Sequence, residues 1–189
     1  THLLGEQSNV PNLETKPTTL LFDLETTPLD AARTEIHCLV ILDYETGETA
    51  RYNDTGASEP ILTGVKDLMY ADTIIGHNII GFDIPVLQEC YPFFEPQGRI
   101  IDTLLLSRLY HPDMLEIDRK RKVEGMPTKL YGRHSLESYG HRLGEYKGNF
   151  GETSDWSAWS KEMEDYCEQD TIVTRKLCQH FHPYLIGSN

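Results

Sequence analysis

Residues 20–27 read Leu-Leu-Phe-Asp-Leu-Glu-Thr-Thr, and the rest of the chain is best interpreted from this stretch. Apolar residues lead into it, and Asp23 and Glu25 stand two positions apart. Side chains alternate between the two faces of a β-strand, so both carboxylates point to the same side. Like charges on one face repel each other, and a divalent cation that prefers oxygen ligands relieves the repulsion. A strand that runs out into a solvated loop would also explain the pair, which therefore needs partners elsewhere.

The length and composition are those of one globular domain. The chain has 189 residues, of which 39% are hydrophobic and 25% charged, enough to bury a substantial core. The four cysteines form no C-x-x-C pair, which indicates reduced thiols in a cytosolic compartment. Residues 1–17 contain two prolines and little apolar content, so we expect a tail or linker there and a folded domain over residues 18–189.

The charge distribution keeps a nucleic-acid partner open. A net charge of −13 argues against such a partner, but eight of the 17 Lys and Arg residues lie between Arg119 and Lys147. This basic stretch includes Lys120, Arg121, Lys122 and Arg133. It can contact a phosphate backbone, although a solvated charged loop would explain it equally well.

The order of predicted elements indicates an α/β fold with a mixed sheet. Three antiparallel strands come first, then short strands alternate with helices, and the C-terminal part is helical. Strands are predicted over residues 18–26, 37–43, 49–53, 73–76 and 99–101, with a turn at Thr46-Gly47. Helices are predicted over residues 59–70, 104–110, 135–143 and 157–184, the last with an internal break, and residues 112–132 are predicted to be a long loop.

Three further acidic positions stand in suggestive places. Asp83 follows a loop with a glycine at each end and precedes a helix, so it is either a helix cap or a ligand. Asp102 starts the next helix and is expected to cap it. Tyr166 and Asp170 lie one turn apart on one face of the last helix, where an ordinary helix surface would also explain them.

Taken together, these residues resemble the three sequence motifs of the DEDDy family of 3′–5′ exonucleases. The motifs are Asp23-Leu24-Glu25-Thr26, His77-Asn78 followed by Phe82-Asp83, and Tyr166 with Asp170. The related DEDDh enzymes have a His five residues before the last Asp, where this chain has Asp165. A closer resemblance, to the proofreading exonuclease domain of family A DNA polymerases of small podophages, extends from Leu20 to Leu185. It is carried by residues 101–109, 132–137 and 139–145.

The resemblance implies an RNase H-like (DnaQ-like) fold, with a mixed five-stranded sheet flanked by helices. It also implies hydrolysis of a terminal phosphodiester with two divalent metal ions, Mg²⁺ or Mn²⁺. Asp23 would bridge both ions, Glu25 and Asp170 would hold the ion that activates water, and Asp83 would support the other. Tyr166 would orient the attacking water, because a pKa near 10 makes it a poor base at neutral pH.

The same resemblance implies a substrate and partners. Thr26, Leu29, Asn78 and Phe82 match positions near the terminal nucleotide, although core packing would also explain Leu29 and Phe82. The expected substrate is the 3′ end of single-stranded DNA. A polymerase domain or replication protein is an expected partner. We expect a monomer that acts in the cytoplasm, which would be that of an infected host if the source is a phage.

Two alternatives stay open at the sequence level. An RNase D-like enzyme that trims RNA belongs to the same tyrosine subclass, and the sequence does not reveal discrimination of the 2′-hydroxyl. A non-catalytic nucleic-acid-binding module with this fold is the other alternative. Four mutually repelling carboxylates argue against it, because a module without metal has no physical reason to keep them.

Overall fold

A computed structural model describes residues 16–27, 33–145 and 155–186. In this part of the chain, five strands form one sheet in the order β3-β2-β1-β4-β5. The strands are β1 (Thr19–Thr26), β2 (Ile36–Asp43), β3 (Thr49–Tyr52), β4 (Thr73–Gly76) and β5 (Arg99–Asp102). The predicted mixed five-stranded sheet is confirmed, and the predicted tail lies mostly outside the described residues.

The central strand of the sheet is β1. It pairs antiparallel with β2, where Asp23 lies opposite Val40, and parallel with β4, where Leu21 lies opposite Ile75. The turn between β2 and β3 contains Gly47, whose φ of 77° is readily adopted only by glycine. Asp43 supports this turn, because its carboxylate accepts the backbone N–H groups of Glu45 and Thr46.

Helices flank the sheet and bring further residues to the end of β1. They are α1 (Ile61–Tyr70), α2 (Asp83–Cys90), α3 (Thr103–Tyr110), α4 (Met114–Arg121), α5 (Leu136–Leu143) and α6 (Lys161–Ile186). A short 3₁₀ helix covers Thr128–Leu130. None of the helices in the described ranges has the length and apolar character that crossing a membrane requires.

The packing of β1 shows the period-two alternation expected of a strand. Phe22 and Leu24 belong to the core cluster beneath α1 and α2. Leu21 packs on the opposite face with Cys178 of α6. Asp23 and Glu25 share the face of Leu21 by this alternation, and they therefore point towards α6.

Two predictions about the C-terminal half are wrong. The predicted loop over residues 112–132 contains α4 and the 3₁₀ helix, and the predicted last helix runs from Lys161 to Ile186 without a break. Helix α4 is dominated by charged residues, so no apolar periodicity reveals it. A tertiary contact holds it instead: the buried Asp118 pairs with Arg142 of α5 at 2.7 Å.

Candidate active site

The carboxylates of β1 lie at the centre of the site. Asp23 and Glu25 are half-buried, and each has a carboxylate oxygen within 4.8 Å of the other and of the Cys167 Sγ. The Cys167 thiol donates to the backbone carbonyl of Asp23 at 3.3 Å, which ties α6 to β1. The sequence prediction that both carboxylates share one face is confirmed by this proximity.

Asp83 reaches the pair from the start of α2. Its side chain is only 3% exposed, and burial raises the pKa of its carboxyl group, an effect that the backbone N–H groups of Asp83 itself and of Leu24 on β1 partly oppose. Asp83 is the first residue of the helix, and the cap position belongs to Phe82. The interpretation of Asp83 as the N-cap is therefore wrong.

The loop before Asp83 is held by Asp102. The buried Asp102 carboxylate accepts the backbone N–H of Asn78 at 2.9 Å and that of Ile80 at 3.1 Å, and it also caps α3 through Leu104 at 2.9 Å. Asn78 has a φ of 65°, a conformation that is uncommon outside glycine. The predicted cap is confirmed, and the structure adds that the same carboxylate clamps the loop leading to Asp83.

Helix α6 supplies Tyr166 and Asp170, one helical turn apart. Both line the same cleft as Asp23, Glu25 and Asp83. The Tyr166 ring meets Trp156 edge to face, with ring centroids 6.1 Å apart. Five residues from three distant segments of the chain are thus brought to one cleft of about 700 Å³.

The acidic side chains perturb one another strongly. Burial raises the pKa of Asp23 well above its usual range, and the charges of Asp170, Asp83 and Glu25 raise it further. Burial, then Asp170 and Asp83, raise the pKa of Glu25 to about 8. Burial raises the pKa of Asp83 and of Asp170 to about 7. The cluster therefore favours either a bound proton or a positively charged ligand.

Tyr166 lies in the same electrostatic environment. Burial raises the pKa of its hydroxyl, and Asp170, Glu25 and Asp23 raise it further. The hydroxyl consequently stays protonated at neutral pH, and it can donate a hydrogen bond but cannot act as a base.

Sequence comparison decides the family. The sequence model of a family described as 3′–5′ exonuclease matches residues 7–186. The chain belongs to this exonuclease family. Two phage DNA-directed DNA polymerases are related to it: that of Escherichia phage T7 is 33% identical over 184 residues, and that of Enterobacteria phage T3 is 34% identical over 184 residues. The match covers 85% of this chain and 26% of each polymerase, so the chain spans about a quarter of their length.

Solved structures share the fold of this exonuclease family member. Brucella melitensis NrnC superposes with a TM-score of 0.61 at 20% identity, covering 94% of this chain and 80% of NrnC. The EXO domain of Aedes aegypti Nibbler gives a TM-score of 0.54 at 14% identity, covering 90% of this chain and 84% of that domain. The RNase H-like exonuclease fold implied by the sequence motifs is confirmed.

The predicted substrate-binding residues fall into three groups. Asn78, Phe82 and Arg133 line the cleft. Residues 120–122 are exposed at the end of α4 and do not line the cleft. Thr26 is buried, its hydroxyl donates to the Thr27 carbonyl, and it does not line the cleft either. Leu29 lies outside the described residues. Contacts of all these residues with a substrate stay predictions.

Sequence reasoning missed Arg108 and His134, which also line the cleft. His134 is held by Ser107, whose hydroxyl lies 2.5 Å from His134 Nδ1 and also contacts the Tyr139 hydroxyl. The buried Asp118–Arg142 pair holds the segment before His134, because Asp118 accepts the Gly132 N–H at 2.8 Å. The sequence offered two signals for Arg108: it belongs to the stretch 101–109 that carries the family resemblance, and it stands one turn after Leu104, which also lines the cleft.

Proposed function

We propose that this exonuclease family member hydrolyses the terminal phosphodiester at the 3′ end of single-stranded DNA and releases nucleoside monophosphates, as a DEDDy enzyme does in proofreading. The observation that carries the proposal is the convergence of Asp23, Glu25, Asp83, Tyr166 and Asp170 in one cleft. Each belongs to a sequence motif of the tyrosine subclass. The intact acidic set favours an enzyme over a binding module, because the repulsion among the carboxylates is relieved by cations.

Two divalent ions, Mg²⁺ or Mn²⁺, suit this donor set. Carboxylate oxygens are the ligands that hard cations prefer, and the raised pKa values indicate a site that lacks positive charge. We propose Asp23, Glu25, Asp83 and Asp170 as the ligands. A structure of Brucella melitensis NrnC with bound Mg²⁺ shares the fold, with a TM-score of 0.59, and is consistent with this proposal.

The side chains of this chain have separate roles in the proposed reaction. Bound cations would supply positive charge at the phosphoryl group and lower the pKa of an attacking water. The protonated Tyr166 hydroxyl orients that water by a hydrogen bond. Phe82 stacks on the terminal base, an interaction that tolerates any sequence, and Asn78 holds the nucleotide next to it. We also propose that Thr26 and Leu29 contact the terminal nucleotide.

The extent of the domain and its partners follow from the same family relationship. We propose that residues 18–189 form the exonuclease domain and that residues 1–17 act as a tail or linker. Because the chain matches about a quarter of each phage polymerase, a polymerase domain or replication protein is the proposed partner. Residues 120–122 and Arg133 are proposed to contact the phosphate backbone.

The double variant Asp23→Ala/Glu25→Ala tests the proposal. It should abolish Mg²⁺-dependent release of nucleotides from a 5′-labelled DNA strand and weaken Mg²⁺ binding measured by calorimetry. The matched control is Glu116→Ala/Glu124→Ala, which removes two exposed carboxylates outside the cleft and should leave both readouts unchanged. Near-normal turnover of the first variant would refute the assignment.

An RNA strand of the same sequence decides the substrate class. We expect the wild-type chain to degrade the DNA strand faster than the RNA strand. Faster degradation of RNA would replace the proposed proofreading role with RNA trimming, while leaving the role of the carboxylates intact.

A further inference from the structure

Two chemically different sets of side chains line the cleft. The carboxylates of Asp23, Glu25, Asp83 and Asp170 form one set. The other lining residues include nitrogen-bearing side chains, namely His77, Arg108, Arg133 and His134. In a chain with a net charge of −13, a cleft that collects two arginines beside its acidic centre favours a ligand with negative charge away from that centre.

Arg108 is placed in this cleft by α3. The helix is anchored at its start by the Asp102 cap and by Thr103, whose hydroxyl donates to the Gly76 carbonyl at 3.2 Å. Leu104 and Arg108, one turn apart, both line the cleft. The helix start is therefore fixed to the sheet, and Arg108 extends from a rigid support.

Arg108 lies on the helix that contacts both histidines of the cleft: the Thr103 hydroxyl lies 2.9 Å from His77 Nδ1, and the Ser107 hydroxyl lies 2.5 Å from His134 Nδ1. Burial chiefly lowers the pKa of His77, to about 4, and also that of His134, and the Arg108 charge lowers both further. The carboxylates of the acidic centre come instead from β1, α2 and α6, so Arg108 and the acidic centre are carried by different elements of the fold.

Within the described residues, the Arg108 side chain has no hydrogen bond or ion pair. The other arginines nearby already have partners: Arg142 makes a bidentate contact with Asp118, and Arg133 uses its Nε, though not its terminal nitrogens, to donate to the Lys129 carbonyl. Arg108 is exposed, and its two imidazole neighbours bring no negative charge. A planar guanidinium with unused donors is suited to a phosphate group, which it can bind through two parallel hydrogen bonds.

We propose that Arg108 binds an internucleotide phosphate of the substrate strand, upstream of the bond that is cut. This inference rests on the proposed function, which places the scissile phosphate at the carboxylates. The strand then enters across α3 and delivers its 3′ end to the acidic centre. Because the contact is made to a phosphate, it is independent of base sequence and strengthens binding of strands with at least one intact upstream linkage.

Two substrates separate an upstream contact from a contact at the reacting phosphate. A 5′-labelled single-stranded oligodeoxynucleotide carries both kinds of phosphate. The p-nitrophenyl ester of thymidine 5′-phosphate carries only the phosphodiester that is cut, with p-nitrophenol in place of the upstream nucleotide. Both are assayed with Mg²⁺ and the full chain, and strand affinity is measured in parallel by fluorescence anisotropy.

Arg108→Ala should raise KM for the oligonucleotide about tenfold with little change in kcat, as expected when a charged hydrogen bond is removed. On the ester its effect should be several-fold smaller. Arg108→Lys should recover part of the oligonucleotide affinity, and the salt dependence of binding should weaken in Arg108→Ala by about one phosphate contact. The matched control is Arg99→Ala, because Arg99 is exposed on β5 and does not line the cleft.

Three outcomes would overturn the inference. An equal effect on both substrates would place Arg108 at the reacting phosphate or in a purely structural role. An unchanged KM for the oligonucleotide would remove the contact altogether. A wild-type chain that hydrolyses neither substrate would refute the proposed function and this inference with it, and that result is distinct from the first two, in which the wild type is active.

Discussion

Replacing Asp170 with Asn should stabilise the metal-free chain at alkaline pH. In the folded chain burial raises the pKa of Asp170 from its usual 3.8 to about 7. A group whose pKa is raised by folding imposes no penalty while it is protonated in both states. Stability is then lost as the pH rises from about 4 to about 7, because the unfolded chain releases the proton first. Asn carries no charge and avoids this loss.

The size of the effect follows from the shift. A change in pKa from 3.8 to about 7 corresponds to roughly 2 kcal/mol at pH 5 and about 4 kcal/mol at pH 8. Asp170→Asn should therefore raise the free energy of unfolding by an amount that grows between these two pH values. Urea denaturation in EDTA, followed by the fluorescence of Trp156 and Trp159, measures it. Added Mg²⁺ at pH 8 should shrink the difference, because a bound cation stabilises the wild type.

Asp165→Asn is the matched control on the same helix. Asp165 is exposed and pairs with Lys161 and with Arg51, each at 2.6 Å, and these partners lower its pKa. The ion pairs of Asp165 stabilise the folded chain above the usual pKa of Asp, and this stabilisation is lost as the pH falls. Asp165→Asn should therefore be slightly less stable than the wild type at pH 8, and Mg²⁺ should not change this difference in stability. If Asp170→Asn were neutral or destabilising at pH 8 in EDTA, the electrostatic account of the site would be refuted.

Two further variants test the basic stretch and the support of the cleft. Replacing residues 120–122 with Gln should reduce the salt dependence of single-stranded DNA binding, with a slope smaller by about 0.7 for each phosphate that these side chains no longer neutralise; an unchanged slope would identify a solvated helix end. Asp118→Asn should lower the free energy of unfolding by about 3–5 kcal/mol, because it leaves Arg142 buried without its partner. Asp118→Asn should also raise KM, since Asp118 holds the Gly132 N–H next to Arg133. If urea denaturation showed that the free energy of unfolding falls by less than about 1 kcal/mol, the role of this pair would be contradicted.

Local chemistry made much of this chain predictable. The alternation along β1 placed Phe22 and Leu24 in the core and Asp23 and Glu25 together on the other face. The Thr46-Gly47 turn and the Asp102 cap depend on neighbouring backbone groups, so they too could be predicted. The three motifs predicted which acids belong together, because each motif sits at the end of a strand or on a helix whose position the fold determines.

Contacts between distant segments could not be predicted from the sequence. Helix α4 has no apolar periodicity and depends on Asp118 meeting Arg142, 24 residues later. Arg108 looks like an ordinary helix-surface residue until the segment before α5 brings His134 into contact with Ser107 of the same helix. Cys167 could not be linked to Asp23, because they are 144 positions apart.

The sequence by itself therefore determined the strand, the acidic set and the family. Only the tertiary structure decided how strongly the acidic side chains raise one another's pKa and which basic side chains line the cleft. The physical reason is that side-chain alternation, turns and caps act over a few residues, whereas burial and the Coulomb interaction act through space. The raised pKa values of Asp23 and Glu25 exist only once α2 and α6 have closed on β1.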